Sequence, residues 1–154
     1  MKRILVSLTA IIILLAGCGG GTPDTSASTP PTGALGTEVI LSNGSYWSVS
    51  PAQLASLSRA SFFLVCVDDD PISMIIGGTT TDLFIKNNEI SQNLDKFPTD
   101  KNRRIVVYCV VGSKSKPASE ALVAAGYTLV THLDGGTMRW QQQGYPVANY
   151  TGTP

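Results

Sequence analysis

From residue 45 onward, short apolar runs alternate with amphipathic segments. Residues 61–67 and 105–109 have the length and composition of buried strands, and residues 128–133 predict a third strand. Residues 115–125, between the last two strands, predict a helix that ends at Gly126. Because strands that alternate with helices form parallel β-α-β units, the expected fold class is α/β, an open parallel sheet with helices on both faces.

Weaker patterns predict four further elements. Residues 50–53, Ser-Pro-Ala-Gln, form a capping box in which proline suits the first helical turn. Residues 83–85 are a candidate short strand, and the apolar positions of residues 90–97 have helical spacing before a proline. Residues 134–136, Asp-Gly-Gly, predict a turn into a last helix around Trp140.

The first 44 residues have a different composition. A basic start is followed by an apolar segment, residues 4–16, whose helical length of about 20 Å is too short to span a bilayer. Residues 15–18, Leu-Ala-Gly-Cys, resemble a bacterial lipobox, which implies that residues 1–17 are removed and that Cys18 is lipidated. The alternative is an ordinary secretory signal with a chance cysteine. The lipobox implies a lipid-anchored, extracytoplasmic protein at the cell membrane.

The chain is thereby divided into three segments. After the signal peptide, residues 18–44 are rich in Gly, Ser, Thr and Pro and are predicted to form a flexible tether. Residues 45–150 are predicted to form the globular domain.

Charge and composition exclude several classes of function. The 154 residues contain 11 Lys+Arg and 11 Asp+Glu, so no basic surface for nucleic acid is expected. Three cysteines and one histidine show no zinc-ligand spacing, so no metal site is predicted. Any chemistry is therefore expected to depend on a single thiol.

Cys109 has the position that such a thiol requires. It ends a predicted strand, and ligand sites in open parallel sheets lie at the carboxyl ends of strands. The loop that follows leads into a helix N-terminus, whose free N–H groups and dipole favour a thiolate and bound anions. Lys114 and Lys116 add positive charge. The alternative is a buried cysteine that acts as a small hydrophobic residue.

Two stretches carry a family resemblance. Residues 108–115, Tyr-Cys-Val-Val-Gly-Ser-Lys-Ser, resemble the active-site loop of rhodanese-like sulfurtransferases. Residues 133–140, Leu-Asp-Gly-Gly-Thr-Met-Arg-Trp, with Gly-Tyr-Pro-Val at 144–147, are similar to the family's closing signature. The resemblance covers residues 46–148 and implies a rhodanese-like fold.

The resemblance also implies a mechanism. Cys109 would take a sulfane sulfur from a small sulfur-containing anion such as thiosulfate and form a persulfide, and a thiol or another thiophile would accept the sulfur. Neither a metal nor an organic cofactor is implied. The persulfide would be bound by the loop of Val110, Val111, Gly112, Ser113, Lys114 and Ser115.

The sequence departs from the family in ways that favour a different class of function. Residues 66–68 are Cys-Val-Asp where the family often has Asp-Val-Arg, and Val110 replaces an arginine. Residues 78–82 replace the motif His-Ile-Pro-Gly-Ala. These losses favour the alternative, a catalytically weak or inactive rhodanese fold that serves as a surface binding module, whereas the cysteine retained at the first position of the loop favours the sulfurtransferase or persulfide carrier. A phosphatase or an arsenate reductase would need an arginine at position 115, where this chain has serine. The histidine of the chain, His132, is predicted to have no catalytic role.

Cys66 is a candidate redox partner of Cys109. Both cysteines end apolar runs that are expected to be parallel strands, and neighbouring strands are about 4.8 Å apart. A disulfide or a resolving reaction would require both side chains on the same face of the sheet. The alternative is an inert core residue among Phe, Leu and Val.

Overall fold

The computed structural model describes residues 33, 35–69, 73–75 and 81–149. Cys18, the signal peptide and most of the predicted tether lie outside the described residues. Within the described part of the chain, no helix has both the length and the apolar composition needed to cross a membrane. The elements are β1 (Thr37–Leu41), β2 (Gly44–Val49), α1 (Pro51–Ala55), β3 (Phe63–Cys66), β4 (Ser73–Ile75), β5 (Leu83–Phe84), β6 (Ile105–Tyr108), α2 (Ser115–Ala124), β7 (Val130–Leu133), α3 (Gly136–Gln142) and β8 (Val147–Asn149).

Six strands form one sheet, in the order β1-β2-β7-β6-β3-β5. The β1–β2 pair is antiparallel, and the pairs from β2 to β5 are all parallel. The crossovers place β6 at the centre, between β7 and β3, so the end of β6 lies at the middle of the sheet's carboxyl edge. A separate antiparallel pair joins β4 to β8. The predicted open parallel sheet is confirmed, with an antiparallel hairpin at one edge.

The core is divided between the two faces of the sheet. Helix α2 contributes Ala118, Leu122 and Val123 to one cluster, which includes Val65 and Val107 of the sheet. On the opposite face, α1 and α3 supply Leu54 and Trp140, which pack with alternate strand residues that include Leu64, Val106 and Tyr108. Successive residues of a strand point to opposite faces, and both faces of the sheet are covered here. All four residues of β6 are therefore buried, which explains its continuous apolar run. The prediction of helices on both faces is confirmed.

Strand β1 corrects the predicted boundary of the tether. Residues 37–41 pair along their whole length with β2 and form an edge of the sheet. The composition of residues 18–44 concealed a β-forming run, Thr-Glu-Val-Ile-Leu, which a two-residue turn, Ser42-Asn43, joins to β2. The folded domain therefore begins before residue 45.

Residues 87–96 also differ from the prediction. They form two 3₁₀ segments, Asn87–Gln92 and Leu94–Lys96, instead of one helix. Asn93 separates them with a φ of −132°, and its side-chain amide donates to the carbonyl of Glu89 at 2.9 Å. This local hydrogen bond competes with continuation of the helix, while Ile90 and Phe97 still reach the core.

The capping box of α1 forms as its sequence predicts. The backbone N–H of Gln53 donates to Ser50 Oγ at 3.3 Å, and the backbone N–H of Ser50 donates to the side-chain oxygen Oε1 of Gln53 at 2.9 Å. The capping box thus satisfies the N–H groups of Ser50 and Gln53, and the five-residue helix that it starts places Leu54 in the core.

Two substitutions to threonine test whether residues 37–41 belong to the folded domain. Val39 is partly buried and packs against the core cluster that lies between the sheet and α2, whereas its neighbour Ile40 is 80% exposed. We expect Val39→Thr to lower the free energy of unfolding by about 1 kcal/mol, because a buried methyl group is replaced by a hydroxyl. Ile40→Thr should change it by less than about 0.5 kcal/mol. Urea denaturation measures both values, and equal effects would contradict the assignment of β1.

Candidate active site

Cys109 lies immediately after β6, at the carboxyl edge of the sheet. It is 1% exposed and belongs to the cluster on the α2 face. The backbone N–H of Gly112 donates to Cys109 Sγ at 3.1 Å. An N–H group aimed at the sulfur stabilises negative charge there, as a thiolate or persulfide requires.

The loop after Cys109 turns back over the sulfur and enters α2. Gly112 has a φ of +88°, a left-handed conformation in which the glycine N–H faces the thiol. Ser115 opens α2, so the N–H groups of the first turn have no acceptor within the helix. Strand end, thiol and helix N-terminus are brought together as the sequence predicts.

Ser115 connects the thiol to a buried histidine. Its Oγ lies 3.7 Å from Cys109 Sγ, 3.2 Å from the carbonyl oxygen of Gly112 and 2.8 Å from His132 Nδ1. His132 is fully buried, and its pKa is lowered to about 4, mainly by burial and further by the charge of Lys116. The imidazole is therefore neutral at physiological pH.

The Asp-Gly-Gly motif brings α3 against the backbone of the loop. Thr137 N–H donates to the Cys109 carbonyl at 3.0 Å, and Met138 N–H donates to the Val110 carbonyl at 2.9 Å. Gly136 has a φ of +59°, and a Cβ there would overlap the carbonyl oxygen of Cys109. The contact therefore depends on glycine at this position.

An acidic contact on the loop corrects the predicted role of its lysine. Lys114 Nζ lies 2.6 Å from Asp68 Oδ1 and 2.7 Å from Asp69 Oδ2. These carboxylates neutralise the positive charge of Lys114, which was expected to attract an anion. The Val110 N–H donates to Asp68 Oδ2 at 3.0 Å, so a carboxylate already accepts from one of the N–H groups that were predicted to bind the persulfide. Burial disfavours the Asp68 carboxylate, but hydrogen bonds from Lys114 and Val110 outweigh it and hold the pKa of Asp68 below its ordinary value.

The pairing of Cys66 with Cys109 is wrong. Cys66 lies opposite Tyr108 in the register of β3 and β6, and both pack on the face covered by α1 and α3. Cys109 is one residue further along and packs on the α2 face. Two thiols on opposite faces of a sheet cannot form a disulfide without moving the backbone. Burial raises the pKa of the Cys66 thiol to about 11, so Cys66 is an inert core residue.

The residues that face Cys109 limit the other types of chemistry. Ser115, at the position where a phosphatase would need arginine, is buried and bonded to His132. Within the described ranges, no group of three His, Cys, Asp or Glu side chains is placed to bind a metal ion. The side chains gathered at Cys109 are therefore a hydroxyl and a neutral imidazole, with one backbone N–H donor on the sulfur.

Sequence reasoning missed the contribution of Asp68 and underrated His132. No local signal links Asp68 to the loop, since 42 residues separate it from Val110 and only the pairing of β3 with β6 brings them together. The signal for His132 was its place in an apolar strand, which requires a buried imidazole to have a polar partner.

The Asp68 contact predicts a pH-dependent contribution to stability. We expect Asp68→Asn to lower the Tm at pH 7 by roughly 3 °C, since the charge-assisted bonds to Lys114 are lost. Asp69→Asn is the control and should have a smaller effect, since the Asp69 side chain is 60% exposed.

The folded-state pKa of Asp68 is lowered, so the stabilisation is complete above the unfolded pKa of about 4 and is lost as pH falls through the folded value. Calorimetry should therefore show the Tm gap between Asp68→Asn and wild type closing below about pH 4. A gap that persists at low pH would contradict the proposed ion pair.

Comparison with known proteins identifies relatives that are similar in sequence. A sulfurtransferase of Allochromatium vinosum is 38% identical over 47 residues, which cover 30% of this chain and 44% of the relative. Thiosulfate sulfurtransferase 18 of Arabidopsis thaliana is 34% identical over 65 residues, covering 41% of this chain and 46% of the relative. An uncharacterized protein of Synechocystis is 25% identical over 108 residues, covering 70% of this chain and 59% of the relative. The chain thus spans about half the length of the curated relatives it matches.

Solved structures share the fold. The rhodanese-like domain of an Anabaena protein matches with a TM-score of 0.56 at 21% identity, covering 70% of this chain and 83% of that chain. A rhodanese-related protein from Thermoplasma volcanium matches with a TM-score of 0.55 at 23% identity, covering 66% of this chain and 96% of that chain. The family model described as Rhodanese-like domain matches residues 65–143, just over half of the 154 residues. This chain belongs to the rhodanese-like domain family.

Proposed function

We propose that the protein is a membrane-anchored sulfurtransferase or persulfide carrier that moves sulfane sulfur through Cys109. The observation that carries the proposal is the 3.1 Å contact from the Gly112 N–H to Cys109 Sγ, at the entry to the α2 N-terminus. Such a donor stabilises an anionic sulfur without a general base. Its relatives include proteins named as sulfurtransferases, which supports this class of reaction.

In the first half-reaction, the Cys109 thiolate attacks the outer sulfur of a donor such as thiosulfate. The new Cys109 S–S bond forms as the sulfur–sulfur bond of the donor breaks, and sulfite leaves with the electron pair. The product is a persulfide anion, stabilised by the Gly112 N–H and the first-turn N–H groups of α2.

In the second half-reaction, a thiophile attacks the outer sulfur of the persulfide. With cyanide, the carbon–sulfur bond forms while the persulfide bond breaks, thiocyanate leaves and the Cys109 thiolate is restored. A thiol acceptor would receive the sulfur in the same way and become a persulfide. Neither half-reaction requires a metal or an organic cofactor.

Two observations favour a second candidate, a rhodanese-fold binding module without turnover. Cys109 is 1% exposed, so a donor must displace part of the loop to reach the sulfur. Beside the loop, the ammonium of Lys114 pairs with two carboxylates, those of Asp68 and Asp69. The net negative charge of these three side chains disfavours a dianionic donor.

Substitution of the nucleophile separates the two functions. We expect Cys109→Ser to abolish thiosulfate:cyanide sulfur transfer by the full-length chain while preserving the fold, because an alkoxide cannot carry sulfane sulfur. Cys66→Ala is the matched control. It removes a buried thiol on the other face of the sheet and should retain activity.

Mass spectrometry of the wild-type chain after incubation with thiosulfate measures the first half-reaction directly. One added sulfur atom on the peptide that contains Cys109 is the expected result. Turnover that survives in Cys109→Ser would contradict the proposal, whereas a folded wild-type chain with neither adduct nor turnover would favour the binding module.

The membrane anchor is a separate part of the proposal and is supported by the sequence of residues 1–18. We expect the mature protein to begin at a lipidated Cys18. Cys18→Ala should release the protein from the membrane fraction or leave an unprocessed precursor, and Cys66→Ala should leave the anchor intact. Cell fractionation and mass spectrometry of the N-terminal peptide measure both outcomes, and a mature N-terminus elsewhere would refute the lipoprotein assignment.

A further inference from the structure

The one histidine of the chain lies directly behind the Cys109 loop. His132 comes from β7, is fully buried and meets the ring of Tyr46 edge-on, with ring centroids 6.3 Å apart. Its Nδ1 atom lies 2.8 Å from Ser115 Oγ. Its Nε2 atom is buried and has no hydrogen-bond partner among the described residues. The sulfur-transfer steps do not use this side chain, yet it contacts a residue of the loop.

The hydrogen-bonding capacity of Ser115 assigns the proton on the imidazole. A serine hydroxyl donates one hydrogen bond and accepts two, and its three neighbours here are Cys109 Sγ, Gly112 O and His132 Nδ1. The carbonyl of Gly112 can only accept, so it takes the serine proton. Ser115 Oγ then accepts from the Cys109 S–H and from an N–H at His132 Nδ1, and all three contacts are satisfied.

The opposite tautomer satisfies fewer groups. If the proton were on Nε2, the Ser115 hydroxyl would donate to Nδ1 and could not also donate to the Gly112 carbonyl. The N–H group at Nε2 would then be buried without an acceptor among the described residues. A buried unsatisfied donor is strongly disfavoured in folded proteins. The neutral imidazole therefore carries its proton on Nδ1.

We propose that His132 is a positioning residue for Cys109, and that its Nδ1–H group holds Ser115 Oγ so that the serine hydroxyl can donate to the ionised sulfur. The proposal rests on the proposed role of Cys109 as the nucleophile. When the thiol loses its proton to water, the S–H donor disappears. The Ser115 proton then rotates from the Gly112 carbonyl to Sγ, and the sulfur anion receives two hydrogen bonds, from Gly112 N–H and Ser115 O–H. A chain of aligned donors strengthens each bond in it.

Burial is the main reason that the imidazole of His132 stays neutral while this happens. Burial and the positive charge of Lys116 both disfavour the imidazolium, and the opposing influence of Asp134 is smaller. Among the described residues, Lys116 of α2 and Asp134 after β7 act on His132 through their charge, and Tyr46 of β2 contacts its ring. Cys66 interacts with Cys109 only electrostatically, from the opposite face of the sheet, and Asp68 and Lys114 pair with each other at the loop.

The ring nitrogens of a single histidine can be observed without ambiguity. In the full-length chain labelled with ¹⁵N-histidine, long-range ¹H–¹⁵N spectra should show one neutral ring, protonated on Nδ1, at every pH above about 5. A ring protonated on Nε2, or a positively charged ring at neutral pH, would overturn the proposal. This measurement needs no variant and no activity.

Matched substitutions then test the influence of His132 on Cys109. His132→Asn keeps an N–H donor at the same number of bonds from Cβ as Nδ1, and His132→Leu removes the donor. In chains labelled with ¹³C-cysteine, the pH at which half of Cys109 is ionised should rise by about 1 unit in His132→Leu and by less than about 0.3 in His132→Asn. Cys109→Ser identifies the resonance, and Cys66 serves as an internal reference.

Ser115→Ala completes the test by removing the intermediate hydroxyl. It should raise the half-ionisation pH about as much as His132→Leu, and the double variant should show no further rise, because both residues act through one hydrogen bond. Additive effects, or no effect of His132→Leu, would overturn the proposal. If His132→Leu fails to fold, the Asn and Ala variants still decide it. Absence of sulfur transfer in a wild-type chain that shows the Nδ1–H ring would reject the proposed function and leave the positioning role intact.

Discussion

The carbonyl groups at the end of β6 must be satisfied at the point where the chain leaves the sheet, and the rest of the site depends on this requirement. The first turn of α3 supplies N–H donors to the carbonyls of Cys109 and Val110. Close approach of the two backbones excludes a side chain at Gly136. With these carbonyls held on the α3 side, the loop turns its Gly112 N–H toward the sulfur, and this is the geometry that an anionic sulfur needs.

The second support of the loop is electrostatic and comes from β3. Asp68 accepts the Val110 N–H and pairs with Lys114, so one carboxylate fixes both ends of the loop. Asp68 stands where the family often has arginine, and in this chain the residue at that position holds the loop with a negative charge. The consequence is chemical as well as structural. Asp68 and Asp69 neutralise the charge of Lys114, so under the proposed function the backbone N–H groups, whose charge does not change with pH, would bind the anion.

The sequence predicted those parts of the fold that depend on local pattern. The apolar run of β6, the capping box of α1 and the glycine after α2 each act over a few residues, and each was confirmed. The failures depend on register or on contacts distant in sequence. Cys66 and Cys109 were correctly placed at neighbouring strand ends, but a displacement of one residue decides the face on which a side chain lies. Asp68 becomes part of the site only through the pairing of two strands.

The two faces of the sheet differ in a way that bears on the chemistry. On the face under α1 and α3, Cys66 lies among apolar residues and the hydroxyl of Tyr108, whereas the α2 face buries Ser115, Ser119 and His132 on the side of Cys109. Burying these polar groups is unfavourable unless each finds a partner, and Ser119 uses its hydroxyl on the Ser115 carbonyl at 2.8 Å. Apolar residues would fill the same space without this requirement. Polar groups that are kept inside a core, where packing alone would favour apolar residues, are expected at a functional site, and here they lie behind the Cys109 thiol.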